Sequence, residues 1–349
     1  MGGSVRTQNK MIIWLNRIIV MGFGGWMIVA TVLSYMYPAH AKILTPYIQY
    51  FLMASMVCMG LTLEFSDYFR AFKNFKGIVV IMVGTFGIAS FFAWVWGSVI
   101  YLGVLNNTSL FVGEVLEGSV AGGVATNVQT WLAHGDVGLS VTATAFGTLI
   151  TPLVTPLQTK FYAGAYVPVP VMAMVKQTIM LAIAPVLAGS LLRIFIRDFI
   201  TRIEPVLRLV SCMFIFLVTL GMVAPGVPIM KMQFWVLGWA LLVAFLHTSS
   251  NIIIGYTMAA MAKMPEKQSR AIVFETTTHN SGLAAVLALA NFGPLAAVPI
   301  YMYAIVMNIA SFSLAAYMMR YPDKPILSVI PGLRNIKWLA PRTENNKNV

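Results

Sequence analysis

The stretch FETTTHNSGLA, Phe274 to Ala284, places a carboxylate, an imidazole, three threonine hydroxyls and an asparagine amide inside an otherwise apolar segment. Carboxylate and hydroxyl oxygens are the ligands that a hard cation prefers. Ionisable side chains within a membrane segment are expensive, so they usually mark a transport pathway or an ion site. A second polar stretch, GGVATNVQT, covers Gly122 to Thr130. We predict that the two stretches face each other in the protein interior.

Other chemistry is open to the same residues. Glu275 and His279 are four residues apart, so on one helix they can form the acid and base pair of an intramembrane hydrolase or transferase. No nucleophile elbow, zinc constellation, Walker loop or dinucleotide fingerprint accompanies them in the sequence. We therefore expect a transporter rather than an enzyme. A sensor that keeps the ligand site is a third alternative, and the basic tail after Tyr321 adds no signalling domain in its support.

The elements that must position these residues are membrane helices. The chain has 349 residues, 59% hydrophobic and 10% charged, with a mean hydropathy of +0.81, whereas soluble domains carry roughly a quarter charged residues. The apolar runs are continuous, which favours helices over a barrel. We predict an all-α polytopic membrane protein with ten transmembrane spans, at about 12–36, 43–63, 78–103, 109–133, 137–159, 170–192, 207–226, 234–261, 270–290 and 298–319.

The basic residues predict the orientation of these spans. All but four of the 23 Lys and Arg residues fall on one side of the predicted membrane, the exceptions being Lys42, Lys160, Lys176 and Lys231. The positive-inside rule then places both termini, including a basic tail at 321–349, in the cytoplasm. We expect a multi-pass protein of the inner (plasma) membrane. The net charge of +12 is explained by loops beside lipid rather than by nucleic acid, and no obligate protein partner is predicted.

Five predicted spans precede the extended turn at Tyr162 to Pro170, and five follow it. An odd number of spans per half reverses the second half, which predicts inverted repeats at 1–161 and 162–320. The polar stretches lie at corresponding positions, in spans four and nine, and both contain Gly beside Asn. We predict that these two helices are broken and cross inside the bilayer, since irregular backbone is tolerated there only when it is buried in protein.

Four motifs carry a resemblance to a known family over about residues 40 to 320. They are MGLTLEF at Met59 to Phe65, GGVATNVQTWLAHGDVGLSVTATAFGTLITPLVTP at Gly122 to Pro156, ETTTHNSGLA at Glu275 to Ala284 and FGPLAAVP at Phe292 to Pro299. With them the chain resembles the bile acid:sodium symporter family. The resemblance implies a core of helices three to five and eight to ten beside a panel of helices one, two, six and seven.

The resemblance also implies ion sites. A first sodium site falls on Thr126, Asn127, Ser140, Thr144 and Glu275. A second site is doubtful, because the family's two glutamines are replaced by Thr85 and His279 in this sequence. It would have to be rebuilt around Thr85, Glu275 and His279 with the backbone carbonyls of Thr276 and Thr278, or lost, or converted to proton coupling through a titrating His279. Sodium is the expected coupling ion, and proton coupling is the alternative.

The substrate implied by the resemblance is a small organic anion taken up by alternating access. It is pantoate-like or another monocarboxylate, or a molecule like a bile acid. Half-helices that begin after Asn127 and Asn280 would direct free amides at its carboxylate. Expected contacts come from Asn127, Thr130, Asn280, Ser281 and Asn308.

Other polar residues are assigned supporting positions. We expect His247 to share a buried hydrogen-bond network with Asn251, and Asp136 to cap the helix that follows it. Glu114 and Glu117 are predicted to be interfacial carboxylates outside the site. Both Cys58 and Cys212 lie in apolar spans and are expected to be small core residues.

Overall fold

The computed structural model describes residues 23–64, 66, 74–123 and 125–321. Within these ranges the regular structure is helical, and one isolated antiparallel bridge joins Gly122 to His279. The predicted tail beyond Tyr321 lies outside the described residues, as do the start of the first apolar run and the basic residues Arg6, Lys10, Arg17, Arg70 and Lys73.

The principal helices are numbered here in chain order. They are α1 (Phe23–Met36), α2 (Ile48–Thr62), α3 (Phe75–Leu102), α4 (Thr108–Gly118), α5 (Ala125–Leu132), α6 (Val137–Ala163), α7 (Val171–Phe195), α8 (Arg197–Val223), α9 (Phe234–Met261), α10 (Glu266–Thr277), α11 (Ser281–Asn291) and α12 (Ala297–Arg320). Short helical turns lie before α2, α9 and α12, at Pro38–Lys42, Thr45–Tyr47, Ala224–Gly226, Val227–Met232 and Pro294–Ala296.

Seven segments of the described chain are long and apolar enough to cross a membrane: Pro38–Thr62, Phe75–Leu102, Val137–Ala163, Val171–Phe195, Leu209–Gly226, Phe234–Met261 and Pro294–Arg320. The chain is therefore a multi-pass membrane protein, as predicted. Predicted spans four and nine are not among the seven, because each is divided into two shorter helices. The number of spans and the inverted repeats stay predictions.

Helices α1, α2, α7 and α8 pack on one another. The α2–α7 contact is close because it is made at glycines: a Cβ at Gly60 would lie 2.1 Å from the Val186 carbonyl oxygen, and one at Gly189 would lie 2.4 Å from the Val57 oxygen. The α2–α8 contact includes a buried hydrogen bond of 2.8 Å between the hydroxyls of Ser55 and Ser211. Helix α1 packs against α8, so the four helices are joined through α2 and α8.

The remaining helices form the larger part of the core, in which α9 packs against α10 and α12, and α4 packs against α3, α6 and α12. Helix α3 contains two π-helical stretches, Val83–Ala89 and Gly97–Leu102, and such wide turns are frequent at functional sites. Arg270 is buried in α10, where its guanidinium donates to the backbone oxygens of Ala133 and Tyr321 at 2.6 and 3.0 Å. These bonds tie α10 to the ends of α5 and α12.

Candidate ion and anion site

Two helix interruptions meet in the middle of this core. Helix α4 ends at Gly118 before α5 begins, and α10 ends at Thr277 before α11 begins. The Asn280 amide donates to the Ala121 oxygen at 2.8 Å, and the Gly123 amide donates to the Thr278 oxygen at 3.2 Å. Each interruption thus satisfies backbone groups of the other, as buried irregular backbone requires.

The interruptions gather four helix ends. The carboxyl ends of α4 and α10 carry partial negative charge, and the amino ends of α5 and α11 carry partial positive charge. Asn280 caps α11 through its side-chain oxygen, which accepts from the Leu283 amide at 3.1 Å. The arrangement offers electrostatic stabilisation to a cation and to an anion within a short distance of each other.

The five side chains predicted as the first sodium site form one hydrogen-bonded group. Glu275 Oε1 accepts from Ser140 Oγ at 2.6 Å and from Thr144 Oγ1 at 2.8 Å. Asn127 Oδ1 lies 2.9 and 3.4 Å from the same two hydroxyl oxygens. The hydroxyls of Thr126 and Thr144 are 3.1 Å apart. The structure therefore brings together side-chain oxygens from α5, α6 and α10.

This group has the donor set of a site for a hard cation. It provides one carboxylate, one amide oxygen and three hydroxyls, and the carboxylate offsets the charge of the ion. The Glu275 side chain fits because residue 122 is glycine. A Cβ at Gly122 would lie 2.6 Å from Glu275 Oε2 and 3.4 Å from Thr126 Cγ2.

The residues of the doubtful second site have other partners. Thr85 donates to the Glu275 backbone oxygen at 3.0 Å, and Thr276 donates to Ile272 within its own helix at 2.8 Å. Thr278 Oγ1 lies 2.8 Å from Gln129 Oε1 and 3.1 Å from Ser311 Oγ. His279 Nδ1 lies 2.9 Å from the Val120 oxygen. The side chains of Thr85, Thr278 and His279 thus connect separate segments around the interruptions, whereas that of Thr276 bonds within α10.

A cavity opens beside the crossing, between it and helices α1, α2 and α8. Its total space is about 840 Å³, part of it open to the surroundings. Three of the predicted anion contacts, Asn280, Ser281 and Asn308, are among its lining residues. Much of the remaining wall is apolar, with contributions from Met27, Met56, Ile215, Val218, Met222, Met307 and Phe312.

The other two predicted anion contacts lie elsewhere. Asn127 is turned to the Glu275 group, and Thr130 is buried with its hydroxyl 3.3 Å from Ser140 Oγ. Neither lines the cavity. Both residues are in α5, which begins at the cavity, since Gly123, Ala125 and Val128 are among the lining residues. The polar face of α5, with Asn127 and Thr130, is turned to α6. The apolar wall from α8 was missed, because methionine and valine in a membrane helix carry no distinguishing signal.

Glu114 and Glu117 correct a prediction, because both side chains are enclosed by the protein rather than placed at its surface. Both are fully buried on α4, three residues apart, and Glu117 Oε1 accepts a hydrogen bond from Ser281 Oγ at 2.5 Å. Glu114 Oε1 lies 2.7 Å from His247 Nδ1. The residues fall near the start of an apolar run, where the sequence does not separate an interfacial carboxylate from an inward-facing one.

The predicted network of His247 has different members. His247 is buried and its partners are Glu114 and the Ala89 oxygen, the latter at 3.2 Å from Nε2. Asn251 donates instead to the Tyr303 hydroxyl at 3.0 Å, and the Tyr303 ring lies 4.6 Å from that of His247. The prediction for Asp136 is confirmed, since its Oδ1 accepts from the Leu139 amide at 3.0 Å at the start of α6.

Several known proteins are similar to this chain. The model of the Sodium Bile acid symporter family matches residues 49–233. The chain is 30% identical over 295 residues to the "Uncharacterized sodium-dependent transporter YocS" of Bacillus subtilis (strain 168), an alignment that covers 84% of this chain and 90% of that protein.

Plant relatives align over similar lengths of the chain. The "Probable sodium/metabolite cotransporter BASS2, chloroplastic" of Oryza sativa subsp. japonica is 28% identical over 265 residues, covering 75% of this chain and 61% of that protein. The corresponding BASS1 protein of Arabidopsis thaliana is 26% identical over 318 residues, covering 90% of this chain and 77% of that protein.

The chain is a helical multi-pass membrane protein, and the names of its family and relatives are those of transporters rather than enzymes, as predicted. The chain belongs to the sodium bile acid symporter family. The expected resemblance is thereby confirmed, and the name of the family gives sodium as the coupling ion.

Proposed function

We propose that this protein is a secondary transporter that couples sodium entry to uptake of a small organic anion by alternating access. One observation carries the proposal: the Glu275 oxygen group and the cavity lined by Asn280 and Ser281 lie on the same pair of helix interruptions. A sodium ion bound at the Glu275 oxygen group and an anion bound in the cavity would stabilise the same local geometry. Binding of one then favours binding of the other, which is the requirement for coupling.

Sodium is proposed to bind among Thr126, Asn127, Ser140, Thr144 and Glu275. In the structure the two hydroxyls of Ser140 and Thr144 donate to Glu275. Rotation of these hydroxyls would point their lone pairs to a cation, so that several oxygens surround it. The ion would then link α5, α6 and α10 in place of the present hydrogen bonds. The proposal includes one sodium site only, because the imidazole of His279 offers nitrogen where a second sodium ion would need oxygen.

The anion is proposed to place its carboxylate at the amino end of α11, near Asn280 and Ser281, with Asn308 opposite. Free amides and the helix dipole favour a negative charge there. Among the residues that the structure describes, no Lys or Arg lines the cavity, so the site suits one carboxylate rather than several. Its methionine and valine wall fits an apolar body, which supports a monocarboxylate with an apolar carbon skeleton.

Movement would take place between two layers. In this proposal α1, α2, α7 and α8 form the panel, which their packing supports. The remaining helices form the core, and panel and core together make ten spans in two inverted repeats. The cavity lies where the two layers meet, so rocking of one against the other would open it to alternate sides. We place both termini in the cytoplasm and the protein in the inner membrane, from the distribution of basic residues.

The relatives support the same function. One is named as a sodium-dependent transporter and the others as probable sodium/metabolite cotransporters. Their names give no particular metabolite, and this chain's substrate is proposed from its own cavity.

Uptake into proteoliposomes tests the proposal. Labelled monocarboxylates, pantoate among them, would be offered under an inward sodium gradient, an inward proton gradient or neither, with wild type and Glu275→Gln. We expect sodium-driven accumulation of at least one monocarboxylate, and its loss in Glu275→Gln. Sodium-driven uptake that survives this substitution would reject the proposed ion site.

Glu64→Gln is a suitable control. Glu64 lies just after α2, far along the chain from the interruptions, and Arg197 Nη2 donates to its Oε1 at 2.9 Å. That hydrogen bond, with the nearby guanidinium charges, lowers the pKa of Glu64. Removing this carboxylate changes the charge of the protein by the same amount as Glu275→Gln without touching the proposed site, so uptake should persist.

A further inference from the structure

A second buried polar group lies beside the crossing and is not used by sodium or the anion in the proposed function. It consists of Glu114 and Glu117 on α4 and His247 on α9, and we call it the acid–imidazole group. All three side chains are fully buried. Glu117 contacts Ser281 at the amino end of α11, and Glu114 contacts His247. The group therefore joins the anion cavity to the interior of the core.

The contact between Glu114 and His247 fixes a proton between them. His247 Nε2 faces the Ala89 carbonyl oxygen, an acceptor, so Nε2 carries a hydrogen. A neutral imidazole of this tautomer has only a lone pair on Nδ1, which would then face a carboxylate at 2.7 Å. Two acceptors do not approach so closely. Either the acid donates to Nδ1 or the imidazolium donates to the carboxylate, and both forms hold one additional proton.

Glu117 is poorly solvated as an anion. Its Oε1 has one donor, Ser281 Oγ, and its Oε2 is buried without a hydrogen-bond partner, as is Oε2 of Glu114. In the part of the chain that the structure describes, no Lys or Arg forms an ion pair with either residue. An unpaired buried carboxylate is costly and is relieved by binding a proton.

The other titratable side chains around the group do not supply a compensating charge. Tyr101 on α3 and Tyr303 on α12 are buried, and Tyr303 donates to the Thr277 oxygen at 2.7 Å. The imidazole of His279 lies 6.1 Å from that of His247 and donates through Nδ1 to the Val120 oxygen. Glu275, at the end of α10, would add negative charge. The surroundings therefore favour protons on the acid–imidazole group.

We propose that the acid–imidazole group is a proton-binding site, and that a proton on Glu117 accompanies the anion through the transport cycle. This inference rests on the proposed function for the identity of the anion site. A carboxylate bound near Ser281 would repel an ionised Glu117, so anion binding and proton binding favour each other. After the cavity opens to the opposite side, loss of the proton from Glu117 to water would repel the anion and promote its release.

Infrared spectroscopy of the purified full-length protein in lipid nanodiscs tests the proton site without a substrate. A protonated carboxyl group has a C=O stretching band that an ionised one lacks. We expect such a band near neutral pH, its loss in Glu117→Gln and its retention in Glu275→Gln. Sodium should leave it in place. Absence of a band that Glu117→Gln removes, or its disappearance on adding sodium, would overturn the proposal, and the latter would indicate a second cation site.

Two more variants distinguish loss of a carboxyl group from misfolding of the protein. Glu117→Asp keeps a carboxyl group, so the band should shift in frequency rather than vanish. His247→Gln should alter the signal of Glu114 while leaving that of Glu117 in place. A folded Glu117→Asp protein without any shifted band would contradict the assignment.

Coupling requires a separate measurement. Proteoliposomes that contain a pH-sensitive dye, under an inward sodium gradient, should acidify inside when pantoate or another transported monocarboxylate is added. Glu117→Gln should abolish acidification even if some anion uptake persists. Uptake by wild type without acidification would reject proton coupling, whereas absence of any uptake would reject the proposed function and leave the infrared result to decide the proton site.

Discussion

The two sets of buried carboxylates beside the helix interruptions differ in their neighbours. Glu275 is surrounded by hydroxyls and an amide, two of which donate to its Oε1 at 2.6 and 2.8 Å. Glu114 and Glu117 have one side-chain partner each, and an oxygen of each has none. The hydroxyls around Glu275 can rotate and become ligands of a cation, whereas the contact of Glu114 with His247 requires a shared proton and Glu117 has a single donor, Ser281 Oγ. The same residue type therefore suits two different ions.

The largest effect on sodium affinity is expected when the carboxylate of Glu275 is removed, compared with removal of the carboxylate of Glu117. Glu275→Gln removes the only carboxylate of the oxygen group, and sodium affinity should fall at least about 100-fold, or about 2.7 kcal/mol. Glu117→Gln should leave sodium affinity within a few fold. The measurement is the sodium-dependent shift in thermal unfolding of the purified protein, since a ligand of the native state stabilises it. Equal losses in both variants would remove the distinction.

The next test reduces the space available to the Glu275 carboxylate. In Gly122→Ala the new methyl group would approach Oε2, so the carboxylate or α5 must shift, and overpacking of this kind costs typically 1–3 kcal/mol. We expect lower thermal stability and weaker sodium binding. The infrared band of Glu117 should persist. Gly25→Ala is the control, because nothing lies within 4 Å of a Cβ at that position.

A single hydroxyl should have a smaller effect. Thr144→Val removes one donor to Glu275 and one proposed ligand while keeping the shape of the side chain. A hydrogen bond to a charged group contributes about 1.5–3 kcal/mol, so we expect at least a tenfold loss of sodium affinity. Thr148→Val is the matched control on the same helix, since Thr148 donates only to the Thr144 backbone oxygen at 2.7 Å. Sodium titrations that do not separate the two variants would contradict the ligand role of Thr144.

The smallest effect concerns the element that carries two of the ligands. Asp136→Ala removes the cap of α6, and loss of such a cap costs about 1 kcal/mol of stability. Both sites should keep their ions, because the fold around Ser140 and Thr144 is held by packing. Thermal unfolding of the variant with and without sodium checks this: its baseline stability should fall, and the shift caused by sodium should not.

Much of the first site could be predicted from the sequence. Oxygen-bearing residues in spans four, five and nine are exceptional in an apolar chain, and the resemblance assigned Thr126, Asn127, Ser140, Thr144 and Glu275 to one place. The structure collects all five. The Asp136 cap was predictable for the same reason, since capping depends on neighbours along the chain.

The acid–imidazole group could not be predicted in this way. Glu114 and Glu117 lie in an apolar run. Whether their side chains face the protein interior depends on how α4 packs against α3, α9 and α12. His247 is more than 100 positions from Glu114, so its preference for Glu114 over nearby Asn251 is a consequence of tertiary packing. The cavity wall was missed because its methionine and valine residues differ from lipid-facing ones only in their location.

Calorimetric titration of the purified full-length protein with sodium shows whether the sodium site at Glu275 is separate from the proton site at Glu117. Repeating it in buffers of different ionisation enthalpy shows whether protons leave as sodium binds. We expect saturable binding that Glu275→Gln abolishes, that Glu117→Gln preserves, and that releases no proton from the acid–imidazole group. Sodium binding that survives in Glu275→Gln, or that displaces a proton only when Glu117 is present, would contradict this expectation.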